Sequence, residues 1–390
     1  MSRRLPSPMM TVCRFGLVPS ARARQSGFSL LELLVALAVT GVLLGGLAGL
    51  LLDTRAALRL QGEEARIQEN IRFAAATLAR DLAAAGHLGC GGVETLGAVD
   101  TTLPGASAYH DFTTAVSGIE AVGTAPGDTV DLADPPHGRQ PPLPAELQGR
   151  AIAGSDLLLI RRARAGPRPL SRAKEAERIH LHAGHVTPSG CGDDPRLDGL
   201  CPDDFAALSD CRRARVFRVG SQALLPGSTG DELVLTHVDG NAPAHWGHAA
   251  DPDWTVAPGA AVVQPVSAVA YYIATEVDGE PALYRRQDDR AEALVRGVDS
   301  LQVLFAVRED GGVRLVTAAE ADFRRVVAVR IGLLFRSERL LTGQPEMERE
   351  FVLGGASPAQ GVTLRADDDG RLRRAVTRTF FLPNGAGATP

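Results

Sequence analysis

Gly27-Phe28-Ser29-Leu30-Leu31-Glu32 opens the run FSLLELLVALAVTGVLLGGLAGLLL (28–52), and the reading of that run decides the fold. It contains 25 residues and a single charge, Glu32. At ~1.5 Å per residue such a helix reaches ~37 Å, more than the ~30 Å hydrocarbon core of a bilayer. A secretory signal has a shorter apolar region, about 7–15 residues, and a small-residue cleavage site after it. The run is too long for that and shows no A-x-A-type site near its end. It predicts a membrane-spanning helix, not a discarded signal.

Working outward, residues 1–27 carry Arg3, Arg4, Arg14, Arg22 and Arg24 and no acid, a local charge of +5. The whole chain has 41 Lys+Arg against 46 Asp+Glu, a net charge of −5, and its only lysine is Lys174. A basic leader before an acidic body reads as a targeting segment, and the acidic balance argues against a general nucleic-acid binder. Arg22 and Arg24 just before the run should stay cytoplasmic, sending residues 53–390 across the membrane, into the periplasm in a bacterium. Glu32 then needs a reason, because an isolated carboxylate in the apolar zone costs ~2.5–3.5 kcal/mol even on lenient scales. Gly41, Gly45 and Gly49 recur every four residues with Gly46 beside them, a flat stripe on which another membrane helix can pack closely.

After Leu52 the pattern turns amphipathic. Leu60, Ile67, Ile71, Ala74, Leu78 and Leu82 fall at helical spacing among Glu63, Glu64, Arg66, Glu69, Arg72 and Arg80. Gly86, after three alanines, is a plausible stop. One helix of ~55–60 residues is expected, spanning the membrane over 28–52 and burying an apolar stripe against a sheet over 53–86.

The segment GFSLLELLVALA, with its basic leader, glycine, fixed glutamate offset and long apolar run, resembles the processing site of type IV prepilins. The resemblance implies cleavage by a prepilin peptidase between Gly27 and Phe28, N-methylation of Phe28, and pairing of Glu32 with the terminal amine of a neighbouring subunit. A carboxylate in an apolar setting is tolerated when a cation meets it and strongly unfavourable when left alone. Further along, QENIRFAAATLARDLAAAGHLGCGG (68–92), SDCRRARVFRV (209–219), VAYYIA (269–274), LYRR (283–286), VRGVDSLQVLFAV (295–307) and VAVRIGLLFRS (327–337) resemble the PilW family of type IV pilus assembly proteins, in matching order. That family implies a minor pilin-like subunit of the inner membrane, with other minor and major pilins and the assembly platform as partners and no enzymatic turnover. A type II secretion pseudopilin shares the same stem and is the alternative; a membrane-anchored periplasmic hydrolase is a remote one.

Residues 87–390 read as a β-rich head, and the expected class is α+β, the long helix packed on a largely antiparallel sheet. Residues 93–150 are rich in Gly, Pro, Thr and Ala and read as loops with short strands. Strands are predicted over 155–162, 178–182, 213–219, 231–237, 261–274, 282–287, 300–307, 326–336 and 373–382. Asp-Gly pairs at 239–240, 278–279 and 369–370 are turn candidates, the second within a hairpin.

Cys13 lies in the leader. Cys90, Cys191, Cys201 and Cys211 remain, an even number in a compartment that permits disulfides. Of the three possible pairings we favour Cys201–Cys211 closing a short loop and Cys90–Cys191 tying the helix end to the body. Zinc is disfavoured because paired C-x-x-C ligands are lacking. No metal and no cofactor are expected. His180, His182 and His185 read as exposed strand and loop histidines, and Asp367–Asp369 before Gly370 as a solvated turn without a calcium-loop pattern. The loop 237–254, with two tryptophans, reads as a packed loop. No nucleophile elbow, phosphate loop or dinucleotide fingerprint is present, so no catalytic residue is assigned.

Overall fold

A computed structural model describes residues 27–101, 107–164, 166–173, 178–184, 186–191, 194–226, 231–237, 256–341 and 349–384. The leader 1–26, His185 and most of the tryptophan loop lie outside these residues. The chain divides into two compact units, one ending at Arg55 and the other beginning at Ala56.

A single α-helix, α1, runs over Leu30–Ala83 (54 residues). It is rich in Leu and Ala and holds no proline, so nothing interrupts its hydrogen-bond ladder. Its most apolar 18-residue window has a mean hydropathy of 2.3 with none of the window buried. By length and composition this is a helix able to cross a membrane.

In the second unit, α1 buries Glu63, Ile67, Ile71, Ala74, Thr77, Leu78, Asp81 and Leu82. Steps of three and four place these on one face. Leu60, expected on that stripe, is only half-buried. Ile71 and Leu78 share one core cluster with Ile331, Leu333 and Phe335, against which Val376 and Phe380 pack. Each fully buried Ile or Leu stabilises by ~1.5–3 kcal/mol, so this face holds the helix firmly. The helix ends where expected. Gly86 sits at φ 72°, and a Cβ there would lie 2.7 Å from that of Ala115. The Asn384 amide, almost 300 residues on, donates to Ala85 O at 3.0 Å and Ala83 O at 3.4 Å, satisfying carbonyls that the helix end leaves over.

The rest of this unit is β. The organising strand is Val262–Thr275, buried along almost its whole length. It pairs antiparallel with Leu157–Ala163, Phe205–Ser209 and Pro281–Gln287 inside a 12-stranded sheet. Its hairpin to Pro281–Gln287 turns at Asp278-Gly279 as predicted, with Gly279 at φ 84°, Gly279 N–H donating to Glu276 O at 3.0 Å and Glu276 N–H to Glu280 O at 2.8 Å. A four-stranded antiparallel sheet follows, ordered Gly312–Val316, Val298–Glu309, Val326–Arg336, Arg373–Phe381. Two parallel pairings, Ala98–Thr101 with the start of Arg213–Leu225 and Thr129–Asp131 with Val362–Arg365, are the exceptions among the described strands. The class is α+β with a largely antiparallel β region.

All four cysteines are in disulfides, but with a pairing different from the favoured one: Cys90–Cys211 and Cys191–Cys201. The reason is geometric. Cys201 and Cys211 flank the strand Phe205–Ser209, and five extended residues span ~17 Å, whereas bridged Cα atoms lie within about 7 Å. Cys211 instead sits in the turn after that strand, beside the segment leaving α1.

Two further expectations are corrected. His180 is buried, its Nδ1 3.6 Å from Glu232 Oε2 on the strand paired with its own, whereas His182 is exposed as expected. Asp369 is no freely solvated turn residue: its carboxylate takes both terminal nitrogens of Arg373, at 2.8 and 2.7 Å, while Asp368 pairs with Arg349 at 2.7 Å.

Candidate functional site

Gly27, Phe28 and Ser29 precede α1 in non-helical backbone, and Phe28 is 88% exposed. From Leu30 to Leu52 the large apolar side chains are all exposed in the isolated chain. At Gly41, Gly45 and Gly49 a Cβ would meet nothing within 4 Å, so the glycine stripe lies open along the helix. Glu32 stands in the first turn, where a carboxylate faces the positive end of the helix dipole. Its Oε2 accepts from the Ser29 amide at 3.0 Å, and its own amide donates to Ser29 Oγ at 3.2 Å. Ser29-x-x-Glu32 is therefore a capping box. Gly27 and Phe28 thus stand just ahead of the helix, and Glu32, Gly41, Gly45 and Gly49 along its exposed first part.

A second constellation fixes α1 to the sheet. Asp81, 2% exposed, accepts from Tyr271 Oη at 2.6 Å and Arg285 Nε at 2.8 Å, and lies 3.3 Å from Arg162 Nε. Burial and the adjacent Asp81 carboxylate push the Tyr271 hydroxyl pKa above its ordinary value. Burial lowers that of Arg162, while the Asp81 contacts outweigh burial and raise that of Arg285. One helix carboxylate thus meets residues from three strands.

A third is an ion ladder over the sheet edges. Glu280 accepts from Arg336 at 2.6 Å and from Arg371 at 2.8 Å; Asp299 lies 3.1 Å from Arg336 and accepts from Arg373 at 2.8 Å. Deeper in, Asp156 accepts from the amides of Ala121 and Val303, both at 2.9 Å, and from Thr124 Oγ1 at 3.1 Å. Burial pushes its pKa up to about 7 against those donors.

A cleft of about 620 Å³ lies between the Cys191–Cys201 loop and the hairpin around Asp288. Its charges neutralise one another: Arg164 binds Asp204 at 2.5 Å and approaches Asp288 at 3.9 Å. Burial pushes the Asp288 carboxyl up to about 6. Among the described residues no group of three or more His, Cys, Asp or Glu is placed to hold a metal ion.

The sequence reading missed Ser29, Asp81 and Asn384. The S-x-x-E spacing signals the first, and an acid falling in helical step with Ala74, Leu78 and Leu82 signals the second. Nothing local marks Asn384, whose partners lie about 300 residues away.

Comparison with known families gives two matches. Residues 22–48 match the family model described as the prokaryotic N-terminal methylation motif, and residues 270–384 match that of Type IV Pilus-assembly protein W. No curated protein and no solved structure matches the chain. The second match takes in the end of the central strand, the four-stranded sheet and Asn384, while the first covers the capping box and the start of the glycine stripe. Together the two matches support a PilW-type pilus-assembly protein that carries a prepilin-type methylation motif.

Proposed function

We propose that the protein is a minor pilin-like subunit that takes part in initiating or assembling type IV pili by subunit association, not turnover. It is made with a basic leader, inserted in the inner membrane with its amino terminus in the cytoplasm and its β-rich, pilin-type head in the periplasm. A prepilin peptidase cuts between Gly27 and Phe28, and Phe28 is N-methylated. The mature subunit meets other minor and major pilins and the assembly platform through its stem. Glu32 pairs there with the methylated amine of a neighbour, and the stripe Gly41, Gly45, Gly49 lets the stems approach.

The observation that carries this reading is the methylation-motif match over the fully exposed apolar first part of α1, whose one acid stands in the first turn. An acid held in lipid without a cation is costly, and a cation delivered by a second chain turns that cost into selectivity for the assembled state. The PilW match supports a role in pilus assembly.

The test is Glu32→Ala in cells that make the pilus. The variant should insert and be cleaved normally yet be depleted from sheared filaments. Incorporation equal to the parent would contradict the pairing.

A further inference from the structure

The capping box at the head of α1 does more than start a helix. Leu33 N–H donates to Ser29 O at 3.2 Å, which makes Ser29 the residue that closes the helix start. Its side chain takes the Glu32 amide, and its amide holds Glu32 Oε2. Cutting between Gly27 and Phe28 removes none of these groups, so the box passes intact into a chain that begins at Phe28.

A glutamate on an exposed helix surface normally samples several rotamers. Here one oxygen is committed to Ser29, which turns the carboxylate back toward the amino-terminal end of the helix. Among the described residues, Oε1 accepts no hydrogen bond. The side chain is thereby held with one oxygen satisfied by an uncharged donor and the other available to a cation.

We propose that Ser29 is a positioning residue for assembly: its Oγ, by capping the Glu32 amide, fixes the first turn so that the Ser29 amide holds Oε2 and Oε1 is left to receive the ammonium of a neighbouring subunit. This rests on the proposed Glu32 pairing and adds the residue that pre-organises it. A carboxylate already in position loses less side-chain freedom on contact than one that must be frozen by the partner.

The test uses the full chain in cells that assemble it, with Ser29→Ala, Ser29→Thr, Ser29→Asn, Glu32→Ala and the double variant Ser29→Ala/Glu32→Ala. The readout is the share of the chain in sheared filaments relative to membranes, with the mature amino terminus checked by mass spectrometry in each. Ser29→Ala should lower the filament share about fivefold, the effect of losing a typical cap. Thr and Asn, which also cap, should restore it, and Ser29→Ala should add nothing once Glu32 is gone.

Normal incorporation of Ser29→Ala beside a defective Glu32→Ala would overturn the proposal and leave the pairing standing. Normal incorporation of Glu32→Ala would overturn the pairing itself. Losses that multiply in the double variant, failure of both Thr and Asn to rescue, or an uncut leader in Ser29→Ala would each show that Ser29 does not act through Glu32.

Discussion

Asp81→Asn probes the attachment of the helix to the sheet. The carboxylate is 2% exposed and is shared by Tyr271, Arg285 and Arg162. Replacing it with a neutral amide leaves two guanidinium groups, with side chains 13% and 17% exposed, without their anion. Breaking one side of a buried ion pair costs ~3–5 kcal/mol. The lower end applies, because both arginines also reach Gln287 Oε1, at 3.0 and 3.3 Å, and keep some solvent. With an m-value of ~3 kcal/mol/M, a loss of ~3 kcal/mol lowers the urea midpoint by ~1 M. The assay is urea unfolding of the full chain in detergent, followed by near-ultraviolet circular dichroism, with Arg285→Met and the double variant completing a cycle. The double variant should lose less than the sum of the single losses. A shift below ~0.3 M with additive losses would refute the view that this carboxylate holds the helix down.

Other expectations follow from the same structure. Asp156 has its pKa raised from 3.8 to about 7, so its protonated form is favoured by folding. That contribution is full below pH ~4 and lost as pH rises toward 7. From pH 5 to 8 the urea midpoint should fall, by up to ~3 kcal/mol in free energy from this group, and Asp156→Asn should flatten the slope; a midpoint rising over that range would contradict it. Asp288, raised to about 6, acts in the same direction, whereas Asp369 and Glu280, held low by arginines despite partial burial, act the opposite way and only in acid, as pH falls through and below their ordinary values of 3.8 and 4.5. The Cys90–Cys211 bridge closes a separation of 121 residues and Cys191–Cys201 one of 10, so chain entropy assigns them ~5 and ~3 kcal/mol. Paired Cys→Ala variants should therefore rank in that order by thermal unfolding, and peptide mapping should recover these two linkages rather than Cys201–Cys211.

What the sequence made legible was what is periodic or local. The apolar run and the stripe Ile67, Ile71, Leu78, Leu82 state their helix by spacing alone, and the strands Arg178–His182 and Val326–Arg336 coincide with their predicted limits. Arg290–Arg296 went unread because it is polar and mostly exposed. Its two-residue turn, Asp288-Asp289, also lacks the usual glycine, Asp288 itself taking φ 50°. Phe205–Ser209 is short and unmarked, and missing it led directly to the wrong cysteine pairing. In the site, Glu32 and the glycines could be placed from spacing, whereas the partners of Asp81 lie 190 and 204 residues away in chain order and become neighbours only through the sheet.

The mass of the mature amino terminus, taken from chain extracted from membranes, tests the account most directly. Assembly through Glu32 requires a subunit beginning with N-methylated Phe28, and that is the predicted result. A membrane-bound chain that keeps residues 1–27, or begins at any other residue, would contradict it.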